Sequence, residues 1–345
     1  MTSGSGGRAL LLGIDLGTAR TAVVSNRSLR ALIGSVVGYP KDIIGVKILN
    51  RTQVIGMEAI EKRSCLDLHY PLQDGVLKEA SDKDLEAAKE LLRHLVTLAD
   101  PKAGDKVCGI IGVPARASVA NKGQLLKIAG ELMDIAMVVS EPFMVAYGQN
   151  RLNNAIVVDV GAGTIDLCAL RGTVPTPESQ VSILKGGNYI DRLLESAIRD
   201  AYAGVQMDRY LAQAIKERHA FVGPAEQKIV VPMRLNGKPA ELDVTEAVRL
   251  TCETIVVDIV ENIKRMVLLF DPENQSEALA NLILAGGGSR IRGLGAMIEA
   301  QLRDYGPVRV TAVADPEFAG ADGALRLAME LPPEYWDQIG EKVGN

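Results

Sequence analysis

The sequence predicts an α/β protein built from two similar halves. Two observations carry that prediction: one hairpin pattern is written twice, and strand-like and helix-like segments alternate after each copy. The first copy is "LLLGIDLGTARTAVV", from Leu10 to Val24, and the second is "AIVVDVGAGTIDLCAL", from Ala155 to Leu170. In each, an apolar run reaches an aspartate, Asp15 or Asp159, then a glycine-rich turn and a threonine, then a second apolar run. The length of 345 residues exceeds what one ordinary core fills, which also favours two domains.

The elements follow in order. The first hairpin spans about residues 9–26, and "SLRALIGSVVG" continues as a third strand. The polar loop "YPKD" leads into a small region ending near Tyr70, with short strands expected around "VKILN" and "TQVIG". "SDKDLEAAKELLRHLVTLAD" reads as a helix: Ser81 stands where a cap belongs, and Leu85, Ala88, Leu92, Leu95 and Ala99 share a face. "KVCGIIGVP" is a buried strand stopped by Pro114, "SVANKGQLLKIAGELMD" a helix and "IAMVV" a strand. "PFMVAYG" is a short helix opened by Pro142 and closed by Gly148. After the second hairpin, "NYIDRLLESAIRDAY" and "MDRYLAQAIKERHAF" are helical, and "KIVVPMRLNGKPAELDVT" alternates around a hairpin Asn-Gly. "DVTEAVRLTCETIVVDIVENIKRMVLLF" reads as one long helix, with Asp243 and Glu246 at capping-box spacing. "NLILAGGGS" is a strand entering a glycine turn, "GLGAMIEAQLRDY" a helix, "VRVTAV" a last strand and "ADGALRLAMEL" a last helix.

Composition narrows the function classes. Hydrophobic residues make up 47% and charged residues 23%, as in globular proteins generally. A net charge of -5 draws the chain to neither nucleic acid nor anionic lipid. Cys65, Cys108, Cys168 and Cys252 lie far apart with no zinc spacing, which reads as reduced thiols of a cytoplasmic protein. His69, His94 and His219 share no ligand spacing and are expected to be non-catalytic. No apolar run is long enough to span a membrane, and "MTSGSGGR" is neither signal nor anchor, so residues 1–7 are expected to be a disordered tail.

The paired hairpins carry the chemistry. Glycines at a turn let backbone N–H groups approach an anion, and here they are Gly13 and Gly17 beside Thr18, and Gly161 and Gly163 beside Thr164. Either hairpin alone could be an ordinary tight turn. Two of them suit a polyphosphate gripped from both sides, with Asp15 and Asp159 near Mg²⁺, directly or through water. "ILAGGGSRIRGL" is a third glycine site, but it is neither G-x-G-x-x-G nor a P-loop. Glu141, just before a proline-opened helix, either complements the helix dipole or activates a water.

In this order the motifs resemble the actin, hexokinase and heat-shock ATPase superfamily over about residues 10–335. "GIDLGTA" resembles its phosphate 1 motif, "SEPFMVAYG" connect 1, "DVGAGTID" phosphate 2, "ILAGGGSRIRGL" the adenosine motif and "DPEFAGADGALRLA" connect 2. "YPLQDGV" and Glu141-Pro142 resemble the MreB group of bacterial actins. "SVVGYPKDIIG", "IGVPARASVANK" and "GGGSRIRGL" resemble the magnetosome actins within it. The resemblance implies the actin/heat-shock ATPase fold, with two domains (four subdomains) around a nucleotide cleft. One domain would comprise residues 8–150 and 324–345, with a small subdomain at about 38–70. The other would comprise 151–323, with a small subdomain at about 188–245.

The same resemblance implies an ATPase that binds Mg²⁺ and ATP, leaves ADP and assembles with itself into cytoplasmic filaments along a magnetosome chain, with magnetosome-associated linker proteins as partners. Glu141 would position the hydrolytic water, assisted by Asp159. Asp15, Gly17, Thr18 and Ala19 would meet phosphate and metal, and Gly161, Ala162, Gly163 and Thr164 the β- and γ-phosphates. Lys216 and Glu217 would meet ribose and base, although on a helix they also read as a surface pair. Gly286, Gly287 and Gly288 would face the nucleotide, with Arg290 and Ile291 bordering the adenine. Asp15 and Asp159 would serve the metal through water. The polar loop "ADPKAGDK" and the polar termini lead us to expect no direct membrane binding, and no nucleic acid is expected. The alternatives are a non-filamentous nucleotide-binding adaptor and a small-molecule kinase of the same fold. A chaperone ATPase would need a substrate-binding domain beyond this length.

Overall fold

The computed structural model describes residues 9–78, 81–332 and 334–336. The expected tail at residues 1–7 and most of the polar C-terminal segment lie outside the described residues. The chain divides into two compact units, one running to Arg151 and resuming at Glu317, the other from Leu152 to Pro316.

The first unit opens with β1 (Leu10–Leu16), β2 (Arg20–Ser25) and β3 (Arg30–Gly34). A small insertion follows: β4 (Val37–Pro40), α1 (Ile43–Leu49), β5 (Val54–Ile55), α2 (Met57–Glu61) and β6 (Leu66–His69). Then come the short hairpin β7 (Leu72–Gln73) and β8 (Val76–Leu77), then α3 (Asp82–Leu98), β9 (Val107–Val113), α4 (Val119–Gly130), β10 (Ile135–Ser140) and α5 (Glu141–Gly148). The main sheet has the order β10-β9-β1-β2-β3, with β1, β9 and β10 parallel and the hairpin strands antiparallel. The insertion forms its own sheet, β5-β4-β6.

The second unit contains β11 (Ala155–Val160), β12 (Ile165–Leu170), β13 (Gln180–Ile183), α6 (Gly187–Ala201), α7 (Arg209–His219), β14 (Val230–Leu235), β15 (Lys238–Asp243), α8 (Thr245–Glu253), α9 (Val256–Val267), α10 (Gln275–Leu279), β16 (Leu282–Ala285), α11 (Leu294–Leu302) and β17 (Val310–Ala312). Its sheet order is β13-β12-β11-β16-β17, with β11, β16 and β17 parallel. Strand order and sense therefore match those of the first unit, so the duplication read from two hairpins extends to the whole of each sheet. The last helix, α12 (Ala319–Glu330), returns to the first unit.

Each sheet is covered on both faces, which explains its nearly unbroken apolar strands. Leu10, Leu12 and Ile14 pack on Leu91, Leu92 and Leu95 of α3, while Cys108 and Ile110 pack toward Met144, Ala324 and Ala328 on α5 and α12. In the second unit Ile156, Val158 and Leu167 join Leu194, Ile259, Ile263 and Leu294. Asp15 and Asp159 sit near the carboxyl ends of β1 and β11, the edge at which open α/β sheets bind ligands.

Three expectations are corrected. "VKILN" lies in helix α1, not in a strand. Asp42 caps that helix by accepting from the N–H groups of Ile44 (2.8 Å) and Gly45 (2.9 Å), and Ile43, Ile44 and Ile48 point to solvent, so apolarity there does not mark a buried strand. The third strand breaks at Ser35 into β3 and β4, which belong to different sheets. The long helix is two, α8 and α9. Thr251 and Thr254 donate their hydroxyls to the carbonyls of Ala247 and Thr251, a local alternative that disturbs a helical ladder. Asp243 caps Thr245 (N to Oδ1, 3.0 Å), while Glu246 pairs with Arg249 at 2.6 Å instead of closing a capping box.

Candidate functional site

In the first unit the turn Gly17–Ala19 is braced by three neighbours. The Ser35 hydroxyl donates to the Gly17 carbonyl at 2.6 Å, and the Ser35 N–H donates to the Ala19 carbonyl at 2.9 Å. Thr18 Oγ1 accepts from the Gly75 N–H at 2.6 Å, so its hydroxyl oxygen is tied to the β7–β8 turn. Arg20 forms an ion pair with Glu317 at 3.1 Å, joining the turn to the segment that leads into α12. The first turn of α12 presses on Asp15: a Cβ on Gly320 would stand 2.3 Å from Asp15 Oδ2. Burial pushes the Asp15 carboxyl up to about 6. Glu141 opens α5 directly after β10, and because β1, β9 and β10 are parallel it emerges at the same sheet edge as Asp15. Gly112 makes room for it, since a Cβ there would lie 3.2 Å from Glu141 Cγ and 2.1 Å from Met144 Cε.

In the second unit the turn Gly161–Thr164 is gripped by the start of α6. The N–H groups of Gly186, Gly187 and Asn188 donate to the carbonyls of Gly163 (3.2 Å), Gly161 (2.9 Å) and Ala162 (2.8 Å). With three carbonyls turned to α6, the trans peptides direct the N–H groups of Ala162, Gly163 and Thr164 the opposite way, a geometry suited to phosphate oxygens. Asp159 lies against Gly286, where a Cβ would stand 2.3 Å from Asp159 Oδ1 and where φ is +70°. Each unit thus places a glycine against the carboxylate of its hairpin aspartate.

The threonines are not equivalent, although the sequence suggests a repeat. Thr18 follows Asp15 by three positions and Thr164 follows Asp159 by five. Thr18 lies inside its turn, whereas Thr164 stands at the mouth of β12 and donates to Asp166 Oδ2 at 2.6 Å.

Lys216 is engaged within its unit. Its Nζ donates to the Gly187 carbonyl at 2.9 Å and lies 2.8 Å from Asp191 Oδ1, and both side chains are largely buried. Desolvation pushes the Asp191 carboxyl up, and Lys216 opposes that shift. Lys216 therefore supports the turn of α6 that holds the Gly161–Gly163 carbonyls. We expect Lys216→Met to lower unfolding stability by about 3 kcal/mol, because it strands a buried carboxylate. Restoring most of that loss with a second change, Asp191→Leu, would confirm the pair in urea titrations. Glu217 accepts from Gln213 at 3.0 Å on the exposed side of α7. The glycine turn after β16 is paired with the chain leaving α7: the Arg292 N–H donates to the Ala220 carbonyl (3.2 Å) and the Val222 N–H to the Arg292 carbonyl (2.9 Å). Gly287 has open space around its Cα, and Arg290 is exposed beside it.

Sequence reasoning missed Asp166, Ser182, Asp191 and Gly320. A signal existed only for Asp166, a lone carboxylate in the apolar strand "IDLCAL".

Residues 9–332 match the MreB/Mbl protein family. The chain belongs to the MreB/Mbl family. Among members of this family, it is 54% identical to the actin-like protein MamK of Magnetospirillum gryphiswaldense, covering 97% of this chain and 93% of that one. It is equally 54% identical to the actin-like protein MamK of Paramagnetospirillum magneticum, over 97% of each chain. Of solved structures, a MamK double helical filament superposes with a TM-score of 0.93 at 53% identity, covering 94% of this chain and 100% of that one. A non-polymerising MamK mutant bound to AMPPNP superposes with a TM-score of 0.73 at 53% identity, over 94% of this chain and 100% of that one. The actin-like fold of this MreB/Mbl-family chain follows from these matches and from its two sheets of equal topology. Among the described residues no helix is long and apolar enough to cross a membrane.

Proposed function

We propose that the protein is an actin-like cytoskeletal ATPase: it binds Mg·ATP through both hairpins, assembles with itself into filaments and hydrolyses ATP to drive their turnover. The observation that carries this reading is the duplicated aspartate-and-glycine device at the carboxyl ends of β1 and β11, together with filament-forming and AMPPNP-binding relatives of the same length. Asp15, Gly17, Thr18 and Ala19 are the phosphate contacts we assign to the first unit, and Gly161, Ala162, Gly163 and Thr164 those we assign to the second. The N–H groups aimed away from α6 are the donors the phosphates need. Gly286, Gly287, Gly288 and Arg290 border the nucleoside. Lys216 acts behind the phosphate turn, and Glu217 is left to meet the ribose or base.

Asp15 and Asp159 are hard oxygen donors and would hold Mg²⁺ directly or through water. Phosphate charge would be neutralised when the ion is bound. Glu141 orients the attacking water, and Asp159 assists. Catalysis is then chiefly positioning and charge stabilisation. By the same reading the filaments lie in the cytoplasm along the magnetosome chain, organise it and meet magnetosome-associated linker proteins.

The test is light scattering with phosphate release followed in one cuvette, with and without Mg·ATP. Scattering that rises with ATP and decays as phosphate appears supports the filament ATPase. Phosphate release with flat scattering would replace it with a monomeric ATPase or kinase, and nucleotide binding without either signal with an adaptor.

A further inference from the structure

The first hairpin carries a cation that the second lacks. Between Asp15 and Ala22 stands Arg20, whereas the stretch from Asp159 to Asp166 holds no lysine or arginine. Arg20 opens β2 directly after the turn Gly17–Ala19, and the register sets Asp15 opposite Ala22. Paired residues share a face, as do alternate residues of one strand, so Arg20 lies on the face of Asp15, nearer the turn. The start of α12 and the residues before it cover that face. Ala22 packs with Ala321, Gly320 stands against Asp15, and Arg20 Nη1 donates to Glu317 Oε1 at 3.1 Å.

This ion pair is not what seats the helix. Arg30 pairs with Asp322 at 2.7 Å and lies 3.9 Å from the centroid of the Phe318 ring, and Gly323 meets α5 at backbone contact. Arg20 and Glu317 are both within reach of water, at 37% and 22% side-chain exposure, where an ion pair adds little stability. A guanidinium is a planar fork of N–H donors that matches phosphate oxygens as well as it matches a carboxylate, and a phosphate carries the greater charge. We propose that Arg20 is a phosphate-binding residue held in reserve by Glu317: when nucleotide binds, its guanidinium leaves Glu317 for a phosphate oxygen. Glu317 is then a competitor of the nucleotide, and the strength of its hold on Arg20 lowers nucleotide affinity. The exchange moves no proton and needs only side-chain rotation. The inference rests on nucleotide binding at the first hairpin, as read above, and adds a side-chain cation to a turn otherwise built from backbone donors, a hydroxyl and a carboxylate.

The full-length chain carrying Arg20→Gln, Glu317→Gln, both changes or Asp322→Asn is compared with the wild type in two measurements. One is the melting temperature without nucleotide. The other is the affinity for a fluorescent ATP analogue with Mg²⁺, taken below the protein concentration at which scattering rises. Arg20→Gln is expected to weaken binding about 10- to 30-fold, the loss of one charge-assisted contact. Glu317→Gln is expected to tighten it about threefold, because the guanidinium no longer has a carboxylate to leave. The double variant should bind as Arg20→Gln does. Asp322→Asn removes a charge from the first turn of α12 that is paired with Arg30 instead, and should stay within about twofold of the wild type. Opposite signs for the two partners separate this role from a structural pair, whose members would weaken binding together. The proposal is overturned by wild-type affinity in Arg20→Gln or by a Glu317→Gln affinity at or below that of the wild type. It is equally overturned by a Glu317→Gln gain that survives without Arg20 or is matched by Asp322→Asn. If Arg20→Gln melts far below the wild type, Glu317→Gln against Asp322→Asn decides alone by the same signs. A wild type that does not bind the analogue would overturn the nucleotide reading and this role together. Wild-type binding with indifferent variants would overturn this role only.

Discussion

Glu141→Ala is expected to bind Mg·ATP and assemble as the wild type does while hydrolysing ATP about 10²- to 10³-fold more slowly. The magnitude is that of removing a group that orients or deprotonates a nucleophile. Glu141 sits at the edge where β1, β9 and β10 end together, over the gap left by Gly112. Its loss removes a carboxylate from the first turn of α5, which costs a few tenths of a kcal/mol in dipole complementarity and leaves the fold intact. Filaments of the variant should therefore form with ATP and persist, seen as scattering that rises and does not decay. If the variant instead fails to bind nucleotide, Glu141 serves binding and its assigned role is wrong. If turnover is unaffected, its place in α5 is explained by the helix dipole alone.

Gly320→Ala is expected to weaken Mg·ATP binding by about 30-fold with a smaller effect on folding. A Cβ at this position needs the space held by Asp15 Oδ2, 2.3 Å away. Helix α12 has little freedom to retreat. A Cβ on Gly13 would stand 2.2 Å from the Ala321 carbonyl, and one on Gly323 1.9 Å from the Met144 carbonyl, so the helix is already seated against β1 and α5 at backbone contact. The flexible partner is the Asp15 carboxylate, which should rotate away from where metal and phosphate are proposed to bind. Gly286→Ala crowds Asp159 in the same way, but its Cβ would also stand 2.5 Å from the Val160 carbonyl oxygen. It adds about 1–2 kcal/mol of backbone strain, because φ is +70° there. Calorimetric titration with Mg·ATP and a melting curve separate the effects. Wild-type affinity in both variants would show that neither aspartate needs its present position.

The duplication was legible because its parts are local. A strand, an aspartate, a turn and a strand lie within about sixteen consecutive residues, and each choice of residue there answers to local backbone geometry. The same holds for α3, whose cap at Ser81 and apolar stripe are both within one helix. The insertion was misread because Ile43, Ile44 and Ile48 are apolar and exposed, which breaks the usual link between hydrophobicity and burial. The split between α8 and α9 was missed because the threonine hydroxyls choose between solvent and backbone only once the helix exists.

By itself the sequence determined the fold class, the positions of Asp15, Asp159 and Glu141, and the glycine turns beside the two aspartates. It did so because hydrophobic period and turn chemistry are written along the chain. Only tertiary structure decided what each polar group does once there. It turned Lys216 toward Asp191 and Gly187, tied Thr18 to Gly75, set Gly320 against Asp15 and committed the Thr164 proton to Asp166. Those partners are from 2 to about 305 positions apart, and hydrogen-bond direction depends on which donors and acceptors the packed sheets bring within 3 Å of one another.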